Sequence, residues 1–226
     1  LFLGSHGALV YDQDSPGVAS VPESGDRFGY SLDSMRTGNT TRLAVGVPYE
    51  DIGAAASAGL VQLFSGDRNT LTVGEGLTQN TDGVADESET GDLFGQRVAW
   101  ARPGLDDTVS RLAVSAPSED GAADNTGLVQ VFPMTNLGAE LTYSQSSPGI
   151  PGNPTAGDRF GSSLAVVSGI AERALLVGVP DDVEFSTGMV DVIPFSGGTP
   201  RSWRPGAGGV PSTAVGGFGY SLASSG

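Results

Sequence analysis

Carboxylates carry almost all the chemistry this sequence offers. The chain holds 26 Asp and Glu, one His and no Cys. Without Cys there is no thiol nucleophile and no thiolate ligand for zinc. His6 alone could act as the base of a Ser-His-Asp triad, and no residue pattern around it supports one. Two acids in unequal environments could hydrolyse a glycosidic bond. Here, however, the acids fall in Gly- and Ser-rich stretches, and Trp100 and Trp203 are the only tryptophans available as sugar platforms. The chain is therefore expected not to be an enzyme and to carry no cofactor.

The formal net charge of −15 opposes binding to nucleic acid or to anionic lipid surfaces. No run of 18 apolar residues exists, so no membrane span is expected. Leu1-Phe2-Leu3 lacks a preceding basic stretch, which fits a mature secreted protein or a fragment better than a leader. With 38% hydrophobic residues the chain can bury a core, and 35 Gly with 14 Pro suit short strands joined by turns.

What positions the acids is a repeat. Gly25-Asp26-Arg27-Phe28-Gly29 returns as Gly91-Asp92-Leu93-Phe94-Gly95, as Gly157-Asp158-Arg159-Phe160-Gly161 and, shortened, as Gly217-Phe218-Gly219. Successive Phe residues lie 66, 66 and 58 positions apart. A second mark follows at Leu43–Pro48, Leu112–Pro117 and Leu176–Pro180, and a third opens at Gly59, Gly127 and Gly188. Fixed order and near-fixed spacing identify structural repeats.

Each repeat reads as four strands. The first starts at the Phe-Gly mark, where Phe28, Tyr30 and Leu32 alternate with small residues, as do Phe218, Tyr220 and Leu222. The second ends at Pro48, Pro117 or Pro180, where proline removes a ladder donor. Gly46 and Gly178 leave room for close approach of a neighbour. The third strand starts at the Gly mark. The fourth is weakest: Leu9-Val10-Tyr11, Leu71-Thr72-Val73, Leu141-Thr142-Tyr143 and Ser202-Trp203. No window shows the 3.6-residue period of a helix, so helices are expected to be nearly absent. Four-stranded antiparallel units repeated radially describe an all-β propeller, the alternative being a β-sandwich.

Phe-Gly, then Gly-Val-Pro or Ser-Ala-Pro, then a Gly-opened apolar strand resembles the FG-GAP repeat of integrin α-chains and of many secreted bacterial proteins. The resemblance covers essentially the whole chain. It implies a seven-bladed β-propeller, of which about three and a half blades are present: a partial blade at 1–27, blades at 28–93, 94–159 and 160–217, and a partial blade at 218–226. The remaining blades would come from the same longer chain or from a second copy. All basic residues except His6 are Arg, and the absence of Lys, whose codons are AT-rich, points to a GC-rich, actinobacterial genome.

FG-GAP units often carry a calcium loop between the first two strands. Counted back from Pro48, its ligand positions fall on Ser34, Arg36, Gly38 and Arg42; from Pro117, on Pro103, Leu105, Asp107 and Arg111. From Pro180 they run from Val166 to Ala174. Arg at a ligand position repels a divalent cation, so no metal is expected in these loops, nor at the acidic pair Asp12 and Asp14. Arg42 and Arg111 are expected to pair with carboxylates or carbonyls instead.

Loops joining strands two to three and four to one emerge at one end of such a blade. The first set holds Glu50, Asp51, Glu119, Asp120, Asp124, Asp181, Asp182 and Glu184; the second holds most of the other acids, including Glu23, Glu75, Asp86 and Glu89. The opposite end balances Asp33, Asp106, Asp107 and Glu172 against five Arg. One end is thus expected to be strongly acidic, with Tyr49, Glu50, Asp51, Ser118, Glu119, Asp120, Asp181 and Asp182 as ligand-face candidates. Asp26, Asp92 and Asp158 recur beside a turn and are read as acceptors for backbone N–H groups. With them, Phe28, Phe94, Phe160, Gly29, Gly95, Gly161, Pro48, Pro117 and Pro180 are the structural repeat positions.

The expected function is a non-catalytic, secreted, extracellular binding module. Its acidic face would take a basic protein partner or a surface glycan. A glycan reader needs repeated aromatic pockets, and only Tyr49 and Tyr143 offer themselves. The runner-up is an accessory or scaffold module on a secreted hydrolase or toxin whose activity lies on another domain.

Overall fold

The computed structural model describes residues 9–67, 70–104, 108–137, 141–168, 173–213 and 216–224. His6, Leu105, Asp106, Asp107 and Glu172 lie outside the described residues. Twelve strands and no helix are found among those described. They form three four-stranded antiparallel sheets, each a meander in chain order. The first comprises β1 (Ser31–Thr37), β2 (Thr40–Val47), β3 (Leu60–Gly66) and β4 (Leu71–Leu77). The second comprises β5 (Arg97–Ala101), β6 (Arg111–Ala116), β7 (Leu128–Pro133) and β8 (Leu141–Tyr143). The third comprises β9 (Ser163–Ser168), β10 (Arg173–Val179), β11 (Met189–Pro194) and β12 (Arg201–Trp203).

The sheets pack face against face, and strand periodicity shows why. Successive side chains of a strand point to opposite faces. In the second sheet Val98, Trp100, Leu112, Val114 and Phe132 join Met35, Ala44 and Val61 of the first sheet in one core. Their neighbours Ala99, Ala101, Ala113, Val129 and Val131 join Leu175, Val177 and Met189 of the third sheet in another. Both faces of the middle sheet are thus apolar. The first strands meet in series, β1 beside β5 and β5 beside β9. Trp100 ties two of them, its backbone N–H donating to Asp33 Oδ2 at 2.6 Å and its indole N–H to the Asp33 carbonyl at 3.1 Å. The three sheets do not close on themselves.

The Phe-Gly mark is a turn rather than the start of a strand. The residue before each Phe is left-handed, with φ of 58° at Arg27, 61° at Leu93 and 56° at Arg159, and such a residue cannot continue an extended chain. The first strand begins only at Ser31 in the first sheet and at Ser163 in the third. The turns at Phe94, Phe160 and Phe218 instead dock on the sheet before them. Phe94 N–H donates to the Ala58 carbonyl at 2.8 Å, and Phe160 N–H to the Thr126 carbonyl at 2.9 Å. Phe94 and Phe160 are fully buried. A Cβ at Gly46 would overlap the Gly95 carbonyl oxygen, and one at Gly178 the Gly219 carbonyl oxygen. These two glycines are the sockets that the next turn fills.

Three further expectations need correction. Leu9-Val10-Tyr11 and Phe218-Gly219-Tyr220 are not strands, because no described strand pairs with them. Glu75 lies within β4 rather than in a loop. The first calcium-type loop does not exist as a loop: Ser34 and Arg36 lie in β1 and Arg42 in β2, paired across a tight hairpin. Arg111 donates to the Val109 carbonyl at 3.4 Å and lies 5.7 Å from the Phe195 ring centre.

Candidate functional site

Three equivalent corners form where the loop after each second strand meets the connection that leads into the Phe-Gly turn. At each, the second residue after the proline turns its carboxylate inward. Glu50, Glu119 and Asp182 are buried, 1%, 5% and 2% exposed, and burying a carboxylate is costly unless it is hydrogen-bonded or neutralised. Each receives a glutamine amide. Gln13 Nε2 donates to Glu50 Oε2 at 2.7 Å, Gln79 Nε2 to Glu119 Oε2 at 2.6 Å, and Gln145 Nε2 to Asp182 Oδ2 at 2.8 Å. These glutamines also recur at 66-residue spacing. That spacing was visible in the sequence, and the expected site set omits them.

The aspartate of each Gly-Asp motif is buried beside its corner and closes the turn. Asp26 Oδ2 accepts the Glu23 N–H at 2.5 Å, Asp92 Oδ2 that of Glu89 at 2.5 Å, and Asp158 Oδ2 that of Thr155 at 2.6 Å. Asp158 Oδ1 also accepts the Val183 N–H at 3.2 Å. Burial pushes the Asp158 carboxyl up, against the pull of those two N–H groups.

The corners differ in charge. In the first, the Ser20 hydroxyl and Gln13 both donate to Glu50. Burial still raises the Glu50 carboxyl, and the two donors offset part of that. In the second, Asp86 stands at the position equivalent to Ser20, 66 residues on. Burial raises Glu119 to about 8; the Gln79 donor opposes this, and the charges of Asp92, Asp86 and Glu89 add to it. Asp92 is raised to about 6 by burial, opposed by the Glu89 N–H donor and reinforced by the charges of Glu89, Asp86 and Asp120. Oxygens of Glu89, Asp92 and Glu119 all lie within 4.8 Å of one another. In the third, Thr155 and Gly152 stand where Glu89 and Asp86 do, and no such triad forms among the described residues.

A second buried series lies in the third strands. Gln62, Gln130 and Asp191 hold one repeat position, each at most 1% exposed. Gln62 donates to the Leu63 and Gly74 carbonyls at 2.9 Å and accepts the Ala19 N–H at 2.7 Å. Neither oxygen of Asp191 has a hydrogen-bond partner among the described residues. Burial, followed by the Asp182 charge, raises its carboxyl to about 8.

The ligand-face candidates therefore divide. Glu50, Glu119 and Asp182 face inward and are unavailable to a macromolecular ligand. Asp51, Asp120 and Asp181 are exposed, and Tyr49 and Ser118 are half-buried. Asp51 and Asp120 also brace their loops, accepting the Ser57 N–H at 2.8 Å and the Asn125 N–H at 2.7 Å. Tyr49 stands beneath Arg27, whose guanidinium lies 4.4 Å from the ring centre, and packs edge-on to Tyr30 at 6.1 Å. Tyr49, Asp51, Glu23, Asp26 and Arg27 line one open, polar pocket. These loops thus present fewer free carboxylates than loop assignment alone implies.

The expectation of no metal was drawn chiefly from the hairpins between first and second strands. The one candidate set of ligands among the described residues lies elsewhere, at the second corner. No family model matches this chain, and no curated protein matches it.

Proposed function

We propose that the three sheets are blades of an FG-GAP-type β-propeller. On this reading the module is secreted, non-catalytic and extracellular, and it binds a protein partner through its acidic loop end. The propeller reading is supported by the serial contact of β1, β5 and β9, the Gly-socketed docking of each turn, and the apolar packing on both faces of the middle sheet. Further blades, from the same longer chain or a second copy, would cover Leu32 on β1 and Tyr220 in the turn beyond the third sheet, which are 61% and 74% exposed.

The binding reading rests on the pocket at the first corner. There an Arg27–Tyr49 stack is ringed by Glu23, Asp26 and the exposed Asp51. The exposed carboxylates of Glu23 and Asp51 suit a Lys or Arg side chain of a partner. Asp120 and Asp181 extend the negative surface at equivalent loops. The test is affinity capture from the native secretome with wild-type protein and with Asp51→Arg/Asp120→Arg. Both residues also brace their loops, so the variant must keep the wild-type Tm and circular dichroism spectrum for its capture to count. Loss of the captured partner in the variant supports the reading, and unchanged capture counts against it. Hits on a glycan array would move the assignment to carbohydrate.

A further inference from the structure

The first and second sheets do not close fully on each other at the end of the strands away from the corners. A slot of about 160 Å³ remains there, walled by Leu63 of β3, Trp100 of β5 and Met134 just beyond β7. Arg42 of β2 lines it too, with the exposed Ser65 and Glu75. Mainly apolar walls with a few polar groups are the usual make-up of a small-ligand site.

The next interface shows what such a slot accepts. Counted back from Pro48 and Pro117, Arg111 stands where Arg42 does. Counted from Gly59, Gly127 and Gly188, Phe195 stands where Met134 does. Phe195 packs against the core between the second and third sheets. Its ring centre lies 5.7 Å from the Arg111 guanidinium and 5.1 Å from that of Arg173, both within cation–π reach. At the first interface the arginine is kept and the ring is missing. Arg42 is half-buried, and its guanidinium has no hydrogen-bond or ion-pair partner among the described residues.

We propose that this slot binds a small ligand made of one aromatic ring and one carboxylate. The ring would lie against Trp100 and Met134, in the place that Phe195 fills at the next interface, where a thioether sulfur favours an aromatic neighbour. An apolar cavity of about 150 Å³ holds one benzene, so the space suits a single ring. The carboxylate would pair with Arg42, whose planar fork matches it. Glu75 in the lining repels a second negative charge, which favours a monoacid. The slot is separate from the Arg27–Tyr49 pocket, which lies at the other end of the strands.

The test is an NMR titration of the protein with hydrocinnamate, read at the indole N–H of Trp100 with Trp203 as internal control. A saturable shift at Trp100 is expected. Met134→Phe supplies the ring that the second interface already has and should abolish the shift, with a thermal melt to show that it folds. Arg42→Gln carries the test if it does not. That variant, and hydrocinnamyl alcohol in place of the acid, should each weaken binding about fivefold, the scale of one partly exposed ion pair. No saturable shift at Trp100 in the wild type, or a folded Met134→Phe that binds as tightly, overturns the slot. Equal affinity for acid and alcohol, or wild-type affinity in Arg42→Gln, overturns the pairing of Arg42 with a carboxylate.

Discussion

Glu50 and Glu119 hold the same place in successive repeats, each two residues beyond a proline and each bonded to a glutamine from the incoming connection. Their surroundings are nonetheless opposed. At the first corner Ser20 adds a second donor, while the adjacent Phe28 is only half-buried. At the second corner Asp86 replaces that donor with a negative charge, while the adjacent Phe94 is fully buried. One corner is satisfied in its polar bonding and open on its apolar side. The other is closed on its apolar side and unsatisfied in charge. A repeat position therefore conserves geometry without conserving energetics, because the neighbour that completes each site comes from a different segment.

The largest effect expected is on the apolar side of the corners. Phe94→Ala should cost about 3–5 kcal/mol, and Phe28→Ala about 1–2 kcal/mol because its ring is already partly in water. Urea unfolding of both variants measures the difference. Equal losses would break the contrast between a filled and an open socket.

Next is the buried acid of the third sheet. Asp191 stands where the other sheets carry Gln62 and Gln130, and its carboxyl is raised from 3.8 to about 8. A raised acid stays protonated in the folded state while the unfolded chain ionises. Stability should therefore fall as pH rises from about 4 to about 8, by an amount on the order of a few kcal/mol. Asp191→Asn should flatten that slope and raise the Tm at pH 8. A thermal melt series across this range tests it, and an unchanged slope would remove Asp191 as its source.

Substitutions of the corner acids should show smaller effects. In chelator at pH 7, Glu119→Gln should raise stability by roughly 1–2 kcal/mol, since it removes a carboxyl whose ionisation burial and three acids oppose. Glu50→Gln should be neutral or lower it, since Glu50 already has two donors. Equal Tm changes in the two variants would erase the distinction between the corners. The smallest effect expected is for Ser20→Ala, a loss of about 1 kcal/mol from one hydrogen bond to a carboxylate, measured by the same unfolding titration.

Much of the frame was legible along the chain. The Phe-Gly, proline and glycine marks locate three sheets and their strand order, because turns and strand ends demand particular residue types. The strand starts were missed at Phe28 and Phe160, where positive φ one residue earlier turns the chain; nothing in Gly-Asp-Arg declares that an arginine is left-handed. The glutamines at 13, 79 and 145 carried a signal in their spacing. What they bond to was not readable, since Gln79 and Glu119 are 40 residues apart.

Local residue types and their recurrence determined that this chain forms short antiparallel strands, turns at Phe-Gly, and gathers acids into its loops. Those are near-neighbour properties, set by backbone sterics and two-residue periodicity. Which of those acids face water and which face inward was decided only when loops from separate segments met. Burial and the charge of a neighbour depend on distance in space, and along the chain Glu119 and Asp120 are simply adjacent acids.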